Sequence, residues 1–293
     1  MAPPADRTGG LTNLQQRILS AAVLLPVAAA AIAFGHPYFE LWVAAFAGVM
    51  AWEWAQVCSR RRNPGDPARA ARLPAAAWHL PGMVLIFTAV AAVLSLGFAL
   101  NGPRMAWTIL VAGALLSVVL AAHHHAGRAL WFPLGAAYTT VPALSLIAIR
   151  GEPDFGRASV FWIIALVVAA DTGGYLFGRT LGGPKLAPRI SPNKTWSGLG
   201  GAVAGAAVVG LLTAFILNHT NVWMLALLSA GLGLIEQAGD LAESAFKRHF
   251  GVKDTSQIIP GHGGVLDRVD GLLTVVVAVW ITNKAAGGSV LAW

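Results

Sequence analysis

Apolar runs of close to 20 residues recur along the whole of this chain, and they limit the folds that it can adopt. A helix of that length crosses roughly 30 Å of hydrocarbon. Only 11% of the 293 residues are charged, whereas soluble domains carry about 25%. The pattern therefore predicts an all-α polytopic integral membrane protein with about nine transmembrane helices. The nine runs cover approximately residues 18–35, 39–57, 81–100, 105–122, 129–149, 158–178, 198–217, 222–243 and 265–285.

The basic residues between these runs indicate how the helices are oriented. If the N-terminus lies inside, the inner segments contain 16 of the 20 Lys and Arg residues. The outer segments then contain only Arg104, Arg150, Arg157 and Lys284. This asymmetry satisfies the positive-inside rule and predicts an N-in/C-out topology. We expect a multi-pass protein of the cell inner (plasma) membrane. Because the net charge of +7 resides in loops between apolar runs, it does not indicate a nucleic-acid partner.

The chain divides into three regions. Residues 1–15 are predicted to form a disordered cytoplasmic tail, residues 16–150 a transmembrane scaffold with spans one to five, and residues 151–293 a catalytic transmembrane region with spans six to nine and cytoplasmic motif loops. The loop 58–79 is interpreted as a mobile cytoplasmic connection whose arginines either anchor the topology or touch anionic headgroups. The single cysteine, Cys58, excludes an intrachain disulfide and a multi-cysteine metal site.

Two polar features stand out in the predicted scaffold. Glu53 lies between two tryptophans near the inner end of span two, where it either hydrogen-bonds within the bundle or contacts a lipid headgroup. Three consecutive histidines occupy positions 123–125. Because adjacent residues on a helix point about 100° apart, these rings do not easily share one metal ion. We therefore interpret the histidines as an interfacial helix end.

Polar residues of the second half fall into three groups on the predicted inner side. The first contains Asp171, which follows an apolar run and is costly at membrane depth unless it meets a cation, water or a metal; a buried structural hydrogen bond is the alternative. The second is the loop 185–196, which combines three cations with two hydroxyls and two prolines. Arg suits phosphate oxygens through bidentate contacts and Lys as a point charge. We therefore predict that this loop binds phosphate rather than serving only as a basic connection.

The third group begins at the end of span eight. Glu236, Asp240, Ser244 and Lys247 are separated by four, four and three positions, so they share one face of a helix. Salt bridging among these residues and their neighbours is one reading of the pattern. It does not explain why so many ions gather at one membrane edge, which favours a site for an anionic, metal-bound substrate.

The start of span nine completes the third group. Asp267 and Asp270 are three residues apart and project together if a helix begins there. Carboxylates that converge from two helix ends suit Mg²⁺, which takes few protein carboxylates and leans on water and substrate phosphates. Gly263 and Gly264 would allow backbone amides near a phosphate, helped by the helix N-terminus. For His262 the roles of acid, base, ligand and loop-shaping residue all stay open.

Residues 244–270 resemble the C-terminal motif of the phosphatidate cytidylyltransferase family, also called CDP-diglyceride synthases. The family pattern runs Ser-x-apolar-Lys-Arg, four residues, Lys-Asp, and further on apolar-Pro-x-His-Gly-Gly-apolar-x-Asp-Arg-apolar-Asp. The chain matches it throughout these 27 positions, and segments 171–179 and 188–198 are similar to family motifs as well. One position departs: the family commonly has Lys-Thr-Trp-Glu-Gly, and this chain has Ser197 in place of the acid.

The resemblance implies a reaction, its cofactors and its site residues. CTP and phosphatidate would give CDP-diacylglycerol and pyrophosphate at a site facing the cytoplasm, with Mg²⁺ required and K⁺ as a candidate second cation. Asp240 and Asp267 would hold the metal centre. The partners would be the two substrates, the lipid bilayer and, by analogy with the family, a second copy in a homodimer. The implied catalytic residues are Asp240, Lys247, Asp267 and Asp270, and the implied substrate-binding residues are Asp171, Arg189, Ser191, Lys194, Thr195, Ser244, Arg248, His262, Gly263, Gly264 and Arg268.

Two other functions are compatible with parts of the pattern. The first is another CTP-dependent membrane lipid enzyme, either a polyprenol or ether-lipid cytidylyltransferase or a lipid kinase. The match over residues 244–270 argues against the kinase and leaves the lipid open. The second is an ion-coupled transporter that uses Asp171 and Asp240 as intramembrane sites. A transporter predicts inverted repeats and a site at mid-bilayer, whereas the halves of this chain show no obvious repeat and the polar groups lie near one edge.

Overall fold

Nine helices dominate the computed structural model, which describes residues 13–59, 80–98, 103–124, 128–218, 221–259 and 263–292. Each predicted apolar run falls on one of these helices, so the prediction of an all-α membrane protein is confirmed. A short two-stranded hairpin between α6 and α7 is an addition to that prediction. The predicted tail through residue 12, residues 60–79, the side chains at 123–125 and His262 lie outside the described residues. The elements are α1 (Asn13–Phe34), α2 (Tyr38–Ser59), α3 (Leu80–Gly97), α4 (Pro103–His124), α5 (Trp131–Arg150), α6 (Gly156–Thr180), β1 (Lys185–Ala187), β2 (Ser191–Thr195), α7 (Trp196–Leu217), α8 (Val222–His249), α9 (Leu266–Ala286) and a 3-10 turn (Val290–Ala292).

Seven of the described helices, α2 and α4 to α9, are long and apolar enough to cross a membrane by length and composition. The apolar parts of α1 and α3 are shorter, covering Ala22–Phe34 and Pro81–Gly97. Large apolar side chains point outward from the bundle, as Leu212 on α7 and Leu227 on α8 illustrate with exposed fractions of 56% and 73%. Such surfaces suit contact with lipid, because exposing them to water would be costly.

Contacts between helix termini show which of them meet at the end of the bundle that carries the hairpin, here called the hairpin end. On α2, Glu53 accepts a hydrogen bond from the Leu266 N–H at the start of α9, at 2.7 Å. The ring of Trp54, also near the end of α2, stacks on Phe246 near the end of α8 with centroids 3.8 Å apart. The ends of α2 and α8 and the start of α9 therefore lie together.

The opposite end of the bundle collects the complementary set of termini. Arg150, the last residue of α5, donates through Nε to the carbonyl of Ile32 near the end of α1, at 3.0 Å. Near the end of α9, Asn283 Nδ2 donates to Glu152 Oε1 in the turn that leads into α6, at 3.4 Å. Helices that begin at one end thus finish at the other, and the termini rich in ionisable motif residues gather at the hairpin end.

Small residues let α6, α7 and α8 approach one another closely. A Cβ placed at Gly201 of α7 would meet the carbonyl of Gly173 on α6, and one at Gly205 would meet the carbonyl of Ala169. Such small residues allow backbones to pack together in lipid. The close packing brings the second half of α6, with Asp171, into reach of α8.

Candidate active site

The predicted phosphate-binding loop folds into the antiparallel hairpin of β1 and β2. Lys185 pairs with Thr195 across the two strands. Thr195 is also the N-cap of α7, because its hydroxyl accepts a hydrogen bond from the Gly198 N–H at 3.1 Å. An N-cap hydroxyl satisfies a backbone donor that the first turn of a helix leaves unpaired. The cap joins the hairpin rigidly to α7 and thereby fixes the position of Lys194.

Ser197 occupies the position at which the resembling family commonly has an acid. Its hydroxyl donates to the carbonyl of Gly182 and lies 3.0 Å from the hydroxyl of Thr195. These contacts tie the connection after α6 to the start of α7. In this chain, position 197 therefore serves the geometry of the hairpin.

Lys194 connects the hairpin to α8. Its Nζ lies 2.6 Å from Asp240 Oδ2 and donates to Gln237 Oε1 at 2.8 Å. Gln237 Nε2 in turn donates to Glu236 Oε2 at 2.8 Å, and Ser244 donates to Asp240 Oδ1 at 3.2 Å. The side chains of Lys194 and Asp240 remain 16% and 26% exposed, so this ion pair stays accessible to a ligand.

Carboxylates from three helices share this region. Asp171 of α6 interacts electrostatically with Asp240, Lys194, Glu236 and Arg268. Asp270 of α9 interacts with Asp240 and Asp171 as well. Like charges at close range repel one another, so such a group is stabilised by a cation that binds between its members. This group, Asp171, Asp240 and Asp270, is called the carboxylate trio below.

Asp267 lies in a second, more buried group. Its Oδ1 accepts a hydrogen bond from Lys247 Nζ at 2.8 Å. Its Oδ2 accepts from the Thr255 N–H and the Gly264 N–H, both at 2.9 Å, and from the Thr255 hydroxyl at 3.0 Å. Lys247 also forms an ion pair with Glu243 one turn earlier on α8. Burial of charges at this depth demands such pairing, because the cost of desolvation is several kcal/mol per ion.

Glu53, which the sequence-based list of site residues omits, belongs to the same region. It is fully buried, and its carboxylate accepts hydrogen bonds from loop 255–256 and from the first residues of α9. Of the two interpretations that the sequence leaves open, the structure therefore selects the hydrogen bond within the bundle. The available signal was an acid inside an apolar span, which is costly unless it has a role.

The remaining predicted residues lie around these two groups. Arg189 is exposed in the turn of the hairpin, and Ser191 begins β2. Arg248 is exposed, and its Nη1 donates to the Val252 carbonyl at 3.0 Å just after α8. The structure thus brings together Lys194, Ser244 and the carboxylate trio with Arg268, and beside them Lys247, Asp267 and Gly264; Asp270 also interacts electrostatically with Lys247.

Gly263 and Gly264, which precede α9, have structural roles. Gly263 has a φ of +89°, which favours glycine, and its backbone pairs with Ile259 in an isolated bridge. A Cβ at Gly264 would collide with Thr255 and Glu53. Because the Gly264 N–H donates to Asp267, this amide holds a carboxylate of the protein, where the sequence suggested a phosphate.

The donor set fits a divalent cation that is bound partly through its substrate. Within the described ranges, no three His, Cys, Asp or Glu side chains are arranged to hold a metal ion by themselves. Mg²⁺ does not need such a cage, because it retains waters and takes oxygens from substrate phosphates. Asp240 is partly exposed beside Asp171 and Asp270 and offers suitable oxygens. Asp267 is a carboxylate of the same kind, with both oxygens already engaged by donors of the chain.

An apolar cavity of about 380 Å³ borders this site at Arg268. It lies among α1, α2, α5, α6 and α9, and of the described residues that line it, Arg268 alone carries a charge. Arg268 is also a charged neighbour of Asp171. The guanidinium of Arg268 therefore lies at the boundary between the apolar cavity and the polar site. Binding of an amphipathic anion requires such a boundary.

Comparison with known proteins shows the family to which this chain is similar. Residues 15–285 match the sequence model of a group described as the cytidylyltransferase family. The chain is 38% identical over 271 residues to the phosphatidate cytidylyltransferase of Brucella suis, covering 92% of this chain and 93% of that protein. It is 35% identical over 284 residues to the phosphatidate cytidylyltransferase of Pseudomonas aeruginosa, covering 94% and 98%. The protein of that name from Mycobacterium leprae is 41% identical over 152 residues, covering 52% and 46%.

Proposed function

Because this chain belongs to the cytidylyltransferase family, we propose that it transfers the CMP group of CTP to phosphatidate, giving CDP-diacylglycerol and pyrophosphate. The observation that carries this proposal is the position of Arg268 between the apolar cavity and the polar site. Phosphatidate has apolar chains and an anionic phosphate, and the two compartments match these two parts. Family membership also argues against the transporter interpretation.

The reaction needs no nucleophile from the protein. An oxygen of the phosphatidate phosphate attacks the α-phosphorus of CTP, and the bond from that phosphorus to the bridging oxygen of the β-phosphate breaks, so that pyrophosphate leaves. Nucleotidyl transfer depends mainly on positioning and on neutralising charge. Arg268 would hold the lipid phosphate, and Lys194 together with the exposed Arg189 would neutralise the triphosphate.

Mg²⁺, when bound, would supply charge neutralisation at the triphosphate and at the leaving pyrophosphate. Asp240 and Asp267 are the ligands predicted from the sequence, and Asp171 and Asp270 offer further oxygens beside Asp240. Lys194 forms an ion pair with Asp240, and this contact orients the carboxylate. K⁺ as a second cation stays a prediction.

The arrangement of the helices supports a specific topology. All nine would cross the inner membrane with the N-terminus inside and the C-terminus outside, which puts the hairpin end and the active site in the cytoplasm. The alternation of termini between the two ends of the bundle supports this, as does the excess of Lys and Arg at the hairpin end.

A topology reporter inserted between β1 and β2 should give a cytoplasmic signal; a periplasmic signal would reverse the assignment. The predicted homodimer is checked by light scattering of the purified protein.

The function is tested by following pyrophosphate release from purified protein with CTP, phosphatidate and Mg²⁺. We expect release that depends on all three components, together with formation of CDP-diacylglycerol. Parallel reactions with a polyprenyl phosphate and with an ether-linked phosphatidate compare the alternative lipids. Faster release with one of these would reassign the substrate, and CDP formation from an unphosphorylated lipid would identify a kinase. An inactive protein in native-lipid nanodiscs with every lipid would overturn the proposal.

Filling the apolar cavity should weaken lipid binding selectively. Leu272 on α9 lines the cavity, and Leu272→Trp would occupy the space of an acyl chain. We expect a higher KM for long-chain phosphatidate, a smaller change for a short-chain analogue and an unchanged KM for CTP. Ile281→Trp is the matched control, because Ile281 is 55% exposed on the same helix. Equal effects of Leu272→Trp on both lipids would argue against the cavity as the acyl site.

A further inference from the structure

A buried carboxylate from the predicted scaffold anchors the catalytic segment. Glu53 is 0% exposed, and each of its oxygens accepts one backbone and one hydroxyl hydrogen bond. Oε1 accepts from the Val265 N–H at 2.8 Å and the Ser256 hydroxyl at 2.6 Å. Oε2 accepts from the Leu266 N–H at 2.7 Å and lies 3.3 Å from the Thr255 hydroxyl, whose single proton it shares with Asp267 Oδ2. All four partners are donors, as a carboxylate requires.

The backbone contacts make Glu53 an external cap for α9. The first N–H groups of any helix lack partners within the helix. The N-cap residue here is Val265, whose side chain makes no capping hydrogen bond. Glu53 supplies the acceptors from α2 instead, and a negative charge at a helix N-terminus is favourable. The first turn of α9, which carries Asp267 and Arg268, is thus held by a residue of another helix.

The hydroxyl contacts connect Glu53 to Asp267. The Thr255 hydroxyl lies 3.3 Å from Glu53 Oε2 and 3.0 Å from Asp267 Oδ2, so it stands between the two carboxylates. The Thr255 N–H donates to Asp267 at 2.9 Å. These groups are closely packed, because a Cβ at Gly264 would collide with both Thr255 and Glu53. We therefore expect a displacement of Glu53 to change the position of the Asp267 side chain.

We propose that Glu53 is a positioning residue for the transfer reaction: it holds loop 255–256 and the first turn of α9, and through them sets the orientation of Asp267 and Arg268. Glu53 touches no substrate in this scheme. Its effect on turnover rests on the proposed function, whereas its effect on the backbone of the loop does not.

Glu53→Gln is the direct test. An amide group in place of either oxygen puts an N–H donor against a backbone N–H, at Val265 or at Leu266, and neither can reverse its polarity. We expect kcat to fall roughly 10- to 100-fold, the range found when the partners of catalytic ligands are removed, with KM for CTP little changed. Glu40→Gln is the matched control: Glu40 lies at the other end of α2, 3.6 Å from His36, and should leave kcat unchanged.

Two further measurements separate positioning from loss of folding. Hydrogen–deuterium exchange of the backbone over 255–266 should accelerate in Glu53→Gln and not in Glu40→Gln. Thr255→Val removes the hydroxyl that both carboxylates share, and Ser256→Ala removes one that contacts Glu53 and the Ile258 N–H but not Asp267. We expect Thr255→Val to lower kcat more than Ser256→Ala does, and its effect to be less than additive with that of Glu53→Gln. These milder variants also keep the test valid if Glu53→Gln does not fold.

The results of these measurements distinguish a positioning role of Glu53 from a purely structural role and from failure of the proposed function. A folded Glu53→Gln protein with the kcat of the parent would overturn the proposal, and so would a lowered kcat without faster exchange over 255–266. Activity that falls only in proportion to the folded fraction would reduce Glu53 to a structural residue. A parent protein that is inactive with every lipid would overturn the proposed function alone, because the exchange measurement needs no turnover.

Discussion

Lys247→Met should abolish most of the activity and lower the free energy of unfolding by about 3–5 kcal/mol, the cost of removing one partner from a buried ion pair. Lys247 forms ion pairs with Glu243 and Asp267, whose side chains are 0% and 2% exposed. No hydrogen-bond donor reaches Glu243 Oε1 within the described part of the chain, so its charge relies on Lys247. Without the lysine, two buried carboxylates would face each other. Denaturant unfolding and pyrophosphate release measure the two effects.

A second substitution separates the structural from the catalytic part of this effect. In Lys247→Met combined with Glu243→Gln, one of the two uncompensated acids is removed, so stability should partly recover while activity should not. Lys284→Met is the control, because Lys284 lies exposed near the end of α9 at the opposite end of the bundle. If the double variant regained both stability and turnover, Lys247 would have only a structural role.

Asp240→Asn should lower kcat about 100- to 1000-fold, the loss typical for a group that stabilises charge in the transition state, with little change in stability. The substitution removes the ion pair with Lys194, which contacts Asp240 Oδ2 at 2.6 Å. It also relieves repulsion by Asp171 and Asp270, and the two changes offset one another. An amide is a weaker ligand for Mg²⁺ than a carboxylate, so half-maximal activity should require more Mg²⁺. Titration of Mg²⁺ at saturating CTP measures this shift, and excess chelator should stop the parent enzyme.

The control for this prediction is the same chemical change at the other end of the bundle. Asp154→Asn lies in the exposed turn before α6 and should keep both kcat and the Mg²⁺ requirement. Unaltered turnover of Asp240→Asn at low Mg²⁺ would remove Asp240 from the metal site. A large loss of stability would instead show that its pair with Lys194 serves the fold.

The positions of the helices are predictable because lipid imposes a minimum length and an apolar composition on every crossing. The apolar run alone does not show where α8 ends, since it stops near residue 243 and the helix continues to His249. The helical spacing of Asp240, Ser244 and Lys247 is what indicates the continuation. Glu243 and Lys247 form an ion pair one turn apart and extend the helix through polar residues. The hairpin also escapes prediction, because strands of three and five residues show no periodic pattern.

Spacing along one helix predicts only part of the site. Ser244 donates to Asp240 as their separation of four residues predicts. Asp267 and Asp270 follow the same rule of spacing, yet their partners differ: Asp267 accepts a hydrogen bond from Lys247, whereas Asp270 interacts electrostatically with Asp240, Lys247 and Asp171. The contacts of each carboxylate depend on which residues of other helices and loops lie next to it. Nothing in the spacing of a single segment shows which distant element will supply the partner.

The separation in sequence between Glu53 and its partners has a consequence for biosynthesis. Val265 follows Glu53 by 212 residues, so α2 is synthesised and inserted long before the segment that it anchors exists. A chain that ends before residue 255 lacks Asp267 and all four donors that contact Glu53. If Asp267 and Arg268 act as proposed, the enzyme becomes competent only when its last helix is in place, and we expect chains that end before α9 not to consume CTP.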